Sequence, residues 1–483
     1  MTARPNILFF FSDDHAAHAI SACGSTINQT PHIDRIAEGG VRVDRCFCTN
    51  SICTPSRATV LTGQYGHVNG VTTWECLDNR HDPQVQKLLQ SAGYETGIFG
   101  KWHLGLGQGN CAHGRNLVSP SANAPTVPAD PAGFDRWAVL PGQGDYHDPL
   151  FHTPDGEVHH TGYVSDIITD LSLAFLRERD TSRPFFLCVN HKAPHRPWEP
   201  GEKYAHLYED EDIPLPETFW DDYATRPAAE AAKMRVARDM NERDLKAQPP
   251  AGLSDEAHAR WCYQRYIKDY LRCVASIDAS VGQLLDELDA QGLVEDTLVI
   301  YSSDQGFFLG DHGWYDKRFI YEESLRMPMM VRYPGHIPPG SRTEAMLTNT
   351  DFAPTLLEFA GVPIPGAMQG RSAADPLRGN TPDDWQQSIY YRYWNHGGHH
   401  VAAHYGVRTA THKLVFFYAN PADAPFCSPE PVIEPYWELF DLERDPRELR
   451  NVYGDPAYAD VQRGLITELE RLQQQYGDQR LHA

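Results

Sequence analysis

Four short apolar runs in this chain each break off into side chains that do chemistry. Residues 6–11 end on Ser12-Asp13-Asp14, and 94–99 on Gly100-Lys101-Trp102-His103. Residues 185–189 end on Asn190-His191-Lys192-Ala193-Pro194-His195, and 297–301 on Ser302-Ser303-Asp304-Gln305-Gly306. Near-continuous apolar runs of this length read as strands buried on both faces. An open parallel sheet places its ligands at the carboxyl ends of such strands. Helical spacing lies between them, at 31–38, 55–61, 81–91, 164–179 and 255–293. The alternation predicts an α/β fold, a central mostly parallel sheet flanked by helices. The segment 105–154, rich in Gly, Pro, Asn and Asp, reads as a long loop, and 199–251 as a polar insertion.

Past about residue 370 the pattern changes. Short strands at 388–394, 404–409, 414–418 and 437–441 precede a polar helix at 458–476, the signature of a small antiparallel sheet with one helix on it. Two units are therefore expected, a catalytic domain over 1–370 and a C-terminal subdomain over 371–483 that contributes to the substrate pocket. A length of 483 residues also exceeds what one hydrophobic core usually serves.

The formal charge of −23 argues against nucleic acid as a partner and against a basic membrane-docking face, so an anionic ligand needs a local cluster of cationic groups. The N-terminal apolar run is too short for a signal sequence, and no stretch reads as a membrane span, which predicts a cytoplasmic protein. Ten cysteines without a CxxC pair predict reduced thiols.

Among them Cys53 stands out. It opens Cys53-Thr54-Pro55-Ser56-Arg57, which continues to Leu61-Thr62-Gly63, and its neighbours carry helix-start chemistry rather than a core-facing pattern. Asp13, Asp14, Asp304 and Gln305 are hard oxygen ligands suited to calcium or magnesium more than zinc. Taken singly, Asp13 reads as a helix cap and Asp304 as a turn residue; together on strand ends they read as a cation site.

With the Lys101-Trp102-His103-Leu104-Gly105 and Lys192-Ala193-Pro194-His195 runs, Ser303 to Gly306, Asp316-Lys317 and the segment 351–361, these motifs resemble, in order, those of type I sulfatases of the alkaline phosphatase superfamily. The resemblance implies an alkaline-phosphatase-like fold and a Cys53 oxidised to formylglycine by a maturation enzyme. The hydrated aldehyde would be the nucleophile toward sulfur. It implies a divalent cation, calcium before magnesium, held by Asp13, Asp14, Asp304, Gln305 and the converted Cys53. Arg57 would hold the nucleophile region, Lys101 and Lys317 would neutralise the sulfuryl oxygens, His103 would act as base and His195 as acid to the leaving alcohol. Gln305 departs from the Asn or His of many relatives, though its amide oxygen still suits a cation.

His191 is a candidate to line the sulfate pocket or support a neighbour, and Asp311 and His312 are candidates to touch the substrate or to support residues that do; for the alcohol part Trp394 and His396 in the run 393–400 are candidate contacts, because a sugar presents both apolar faces and hydroxyl edges. The expected substrate is a small sulfated sugar or short sulfated glycan, with 6-O-sulfated N-acetylglucosamine favoured. Hydrolysis of phosphonate monoesters or phosphodiesters is the alternative activity, and catalytically silent binding of sulfated glycans the alternative of another class.

Overall fold

A computed structural model describes residues 4–105, 131–418, 428, 430–479 and 481. The run after Pro5 forms strand β1 (Asn6–Ser12), buried from Ile7 onward. Its alternate side chains feed two separate cores: Ile7, Phe9 and Phe11 pack on one face, Leu8 and Phe10 on the other. Both faces are covered, which is why the run is apolar without interruption.

The strands that follow are β2 (Val41–Val43), β3 (Glu95–Lys101), β4 (Arg136–Leu140), β5 (Leu150–Thr153), β6 (Gly156–His159), β7 (Phe185–Asn190), β8 (Thr297–Ser303), β9 (Met329–Arg332) and β10 (Ser341–Thr343). Among the described residues they form one ten-stranded sheet in the order β10-β2-β9-β8-β1-β7-β3-β4-β5-β6. The centre is parallel: β1 lies between β7 and β8, with Phe11 opposite Asn190 and Ser12 opposite Ser303. Strand β3 pairs parallel with β7, and Gly100 lies opposite Asn190. This register brings Asp13, Lys101, His191 and Asp304 to one edge. At Gly100 (φ 106°) a Cβ would fall 2.0 Å from the Asn190 carbonyl oxygen, so the strand that delivers Lys101 needs glycine there.

Three expectations shift in detail. The segment 105–154 is not all loop: residues 136–140 extend the sheet in parallel, and 150–153 with 156–159 form a hairpin at its edge, while 106–130 lie outside the described residues. Residues 41–48, which alternate in sequence as a single strand would, form two short strands, at 41–43 and 46–47. Cys76 is disulfide-bonded, a departure from reduced thiols throughout, whereas Cys23, Cys46, Cys48, Cys53, Cys188, Cys262 and Cys273 are free.

The C-terminal strands β11 (Ser388–Tyr393), β12 (His404–Thr409), β13 (His412–Phe417) and β14 (Tyr436–Asp441) form a four-stranded antiparallel sheet in sequence order. One face packs under helix Ala459–Tyr476 through Tyr390, Tyr405, Val407, Leu414 and Leu439. The opposite face sends Tyr391, Tyr393, Val415, Phe417 and Phe440 into the core that also holds Phe319. Among the described residues no helix is long and apolar enough to cross a membrane.

Candidate active site

Cys53 opens helix Cys53–Thr62, and all ten residues of that helix are buried. The local sequence shows no core-facing pattern, yet Cys53, Ala58, Val60 and Leu61 all join the core on one side of the sheet. Ser56 donates from Oγ to the Asp304 carbonyl and accepts from Asn349 Nδ2 at 2.9 Å, which fixes the first turn against β8. A helix N-terminus presents partial positive charge, so the fold aims residue 53 at a place suited to negative charge.

Around it stand the strand-end residues. The Cys53 Sγ, a carboxylate oxygen of Asp13 and a ring nitrogen of His195 lie within 4.8 Å of one another, as do carboxylate oxygens of Asp13, Asp14 and Asp304. Lys101 Nζ donates to Asp13 Oδ2, and Lys317 Nζ to both oxygens of Asp14 at 2.6 Å. Arg57 donates from Nε to Asp304 Oδ2 at 3.0 Å and from Nη1 to the Lys101 carbonyl at 3.0 Å. His195 Nε2 is 3.7 Å from Asp14 Oδ2, and His103 Nδ1 is 3.4 Å from Thr54 Oγ1. Asp14 and His103 hold left-handed φ values of 64° and 61°, and Asp316 and Arg318 of 79° and 94°, backbone strain gathered at one site.

Three carboxylates this close and this buried repel one another. Burial, then Asp13 and Asp14, pushes Asp304 up to about 8 against the pull of Arg57; burial and the neighbouring acids raise Asp14 to about 6 despite Lys317. Asp13 goes the other way: burial would raise it, but Lys101, His195, Arg57 and Lys317 together hold it well below the usual carboxylate range. Among the described residues, buried Asp13 Oδ1 and Gln305 Oε1 have no hydrogen-bond partner, while Gln305 Nε2 donates to Asp14 Oδ1. Orphaned oxygens beside crowded carboxylates are the donor set a hard divalent cation fits. Burial raises the Cys53 thiol above its ordinary value despite Lys101 and Lys317, so the unmodified side chain is a protonated, weak nucleophile. Burial holds His103 and His195 well below the ordinary histidine value, and the surrounding lysines add to that.

The family models fit this geometry: the sulfatase model matches residues 5–362, and the C-terminal domain of N-sulphoglucosamine sulphohydrolase matches 310–475. The chain belongs to the sulfatase family. The sulfatase is 38% identical to an N-acetylglucosamine-6-O-sulfatase of Bacteroides thetaiotaomicron over 524 residues, 99% of this chain and 88% of the relative. It superposes with a TM-score of 0.89 and 37% identity, over 98% of each chain, on a protein solved with its substrate D-glucosamine-2-N,6-O-disulfate. It shares the fold of a phosphonate monoester hydrolase of Agrobacterium radiobacter, with a TM-score of 0.76 and 22% identity over 98% and 96% of the two chains. It is a carbohydrate sulfatase of the alkaline phosphatase superfamily, a hydrolase of sulfuric esters.

Not every expected contact of this sulfatase joins the cluster. Asp311 and His312 turn away from it: Asp311 Oδ2 is 3.1 Å from His18 Nε2 and accepts from the Leu309 amide, and His312 Nδ1 is 2.7 Å from Asp221 Oδ2. Both sit at the tip of a hairpin closed by Phe308 N to Asp316 O, whose base carries Lys317. His191 is fully buried, neither ring nitrogen is hydrogen-bonded among the described residues, and burial alone lowers it to about 3. The Trp394 ring lies under the Arg392 guanidinium at 3.5 Å and 6.2 Å from the His67 ring. His396 closes its own loop, with Nε2 2.9 Å from the Pro431 carbonyl and Nδ1 accepting from the Ala403 amide.

Other residues enter unannounced. Arg318 is buried, donates to Asp316 Oδ1 at 3.1 Å, approaches the Tyr393 hydroxyl at 3.4 Å and is close enough to Cys53 for their charges to interact. Its signal was a second cation directly after Lys317. Gln143, whose Oε1 accepts from Lys101 Nζ, comes from the aperiodic 105–154 stretch, which gave no signal at all.

Proposed function

We propose that this sulfatase releases sulfate from 6-O-sulfated glucosamine-type sugars, N-acetylglucosamine-6-sulfate first among them, after conversion of Cys53 to formylglycine and with a divalent cation, calcium by preference. The observation that carries the reading is the buried meeting of residue 53, Asp13 and His195 at the N-terminus of a helix, in a chain 38% identical to an N-acetylglucosamine-6-O-sulfatase.

Asp13, Asp14, Asp304 and the Gln305 amide oxygen would hold the cation, which supplies Lewis acidity toward a sulfuryl oxygen. The chain's own residues do the rest. Lys101 and Lys317 bind sulfuryl oxygens as their charge grows. Arg57 locks Asp304 and the Lys101 carbonyl so that both stay aimed at residue 53. His103 takes a proton from the residue 53 side, and His195, neutral in the empty site, would deliver one to the leaving alcohol oxygen once the negative charge of the bound ester favours its protonated form. The thiol itself is disfavoured as the nucleophile because burial keeps it protonated. A hydroxyl of the aldehyde hydrate is no more acidic by itself, and would owe the loss of its proton to His103 and to the charge of the cation.

The sugar is recognised on the side of Asp316, Arg318 and Tyr393, where a buried carboxylate, a guanidinium and a phenol offer paired acceptors and donors to ring hydroxyls. Release of sulfate from 2-, 3-, 4- and 6-sulfated monosaccharides, run beside an aryl phosphonate, tests the proposal. Fastest turnover of the 6-sulfate supports it; preference for another position or for the phosphonate overturns it.

A further inference from the structure

Of the lysines around the cluster, Lys101 is paired with Asp13 and Lys317 with Asp14. Lys192 is different. It is 1% exposed, yet among the described residues its ammonium makes no ion pair and no hydrogen bond. Its one close neighbour in the charged sense is an aromatic face: Nζ sits 4.6 Å from the centre of the Tyr146 ring. The Tyr146 hydroxyl in turn donates to the His195 carbonyl at 2.6 Å. Lys192 therefore stands on the same short loop as His195, three residues before it, and is anchored to it through Tyr146.

An ammonium this nearly shut off from water and without an ion pair is costly to hold, and one aromatic face recovers only part of that cost. The fold tolerates that cost at a place where the field of Lys192 reaches Lys101, Asp13 and His195. Burial first, and Lys101 second, draws its own affinity for a proton down to about 8, against the opposing pull of Asp13, Asp145 and Glu199. An ammonium beside a reaction centre that acids reach only through the field, with none in direct contact, is what a ligand of opposite sign completes.

We propose that Lys192 is a binding residue for the sulfuryl group, its ammonium kept without a partner by the fold so that the incoming sulfate ester supplies one. The inference rests on the sulfatase reading of the site and adds a third lysine to it.

The test combines affinity with stability, because the two move in opposite directions only if the proposal holds. In Lys192→Met the inhibition constant of inorganic sulfate and the KM of an aryl sulfate should rise about tenfold, the loss of one charge-assisted contact. The melting temperature without sulfate should rise by about 1–2 °C, because a buried unpaired charge is gone. Lys192→Gln, which keeps a polar end, should lose sulfate affinity as well. An unchanged inhibition constant in a variant that still turns over sulfate esters overturns the inference alone. A lower melting temperature in both variants overturns it as well, since Lys192 would then be a structural prop. If the wild-type protein releases no sulfate from any ester, the underlying reading fails instead.

Discussion

At the scale of single residues, the site is an argument about charge held out of water. Cys53 sits at a helix start, buried, with Asp13 and His195 within 4.8 Å, and its thiol is kept protonated. Cys53→Ala should abolish turnover while the melting temperature moves by less than about 2 °C, since one buried sulfur is removed and no polar partner is orphaned; turnover of sulfate esters and a thermal melt check the two halves. Most of this set was legible in sequence because each member stands directly after an apolar run: Asp13 after β1, Lys101 at the end of β3, Asp304 after β8. Gln143 was not legible, because it reaches Lys101 from a loop whose path no periodicity records. Asp311 and His312 were legible as polar residues near Lys317, but not their direction. A hairpin reverses the chain between Phe308 and Asp316, and its tip faces His18 and Asp221 instead.

At the scale of elements, the C-terminal sheet is a wedge between one helix and the catalytic core, and its two faces explain where its aromatics go. Tyr391 and Tyr393 face Arg318, whereas Tyr390 and Arg392 face helix Ala459–Tyr476, where Arg392 pairs with Asp478 at 2.5 Å. Trp394 follows Arg392 and stacks on it. Trp394→Ala should thus lower the melting temperature by about 2–4 °C, the worth of a close cation–π contact, and leave the KM for sugar sulfates within about twofold; a large rise in KM with an unchanged melt would instead make it a sugar platform. The strands were readable from alternation, but which face meets the substrate depends on how the sheet docks, a long-range property that no local pattern holds.

The same wedge carries a pH dependence. Glu438 on β14 accepts from the Tyr436 hydroxyl at 2.6 Å and the Tyr321 hydroxyl at 3.1 Å, and burial pushes its carboxyl up to about 7. A carboxyl whose folded value exceeds its unfolded one binds more protons in the folded state, so its contribution favours folding at low pH and is lost as pH rises from about 4.5 to about 7. Melts across that window should show Glu438→Gln gaining stability relative to the wild type as pH rises. A constant difference would contradict the assignment.

At the scale of the whole molecule, the parallel register β8-β1-β7-β3 converges acids, lysines and histidines that are up to about 300 residues apart in sequence. Asp13, Asp14 and Asp304 repel unless a cation joins them, so stripping divalent ions with a chelator should abolish turnover and lower the melting temperature by several degrees, with calcium restoring both. A chelated protein with full activity would remove the cation from the account. The architecture was readable because alternating apolar runs and helices leave few topologies open. The strand 136–140 was missed because it lies within a Gly- and Pro-rich stretch that hides a five-residue run.

The most direct measurement is the chemical state of residue 53 in active protein. Mass spectrometry of the peptide that carries it, taken across preparations of different specific activity, should show activity proportional to the fraction converted from thiol to aldehyde, falling to zero where none is converted. Full turnover in material whose Cys53 is an intact thiol would contradict the account.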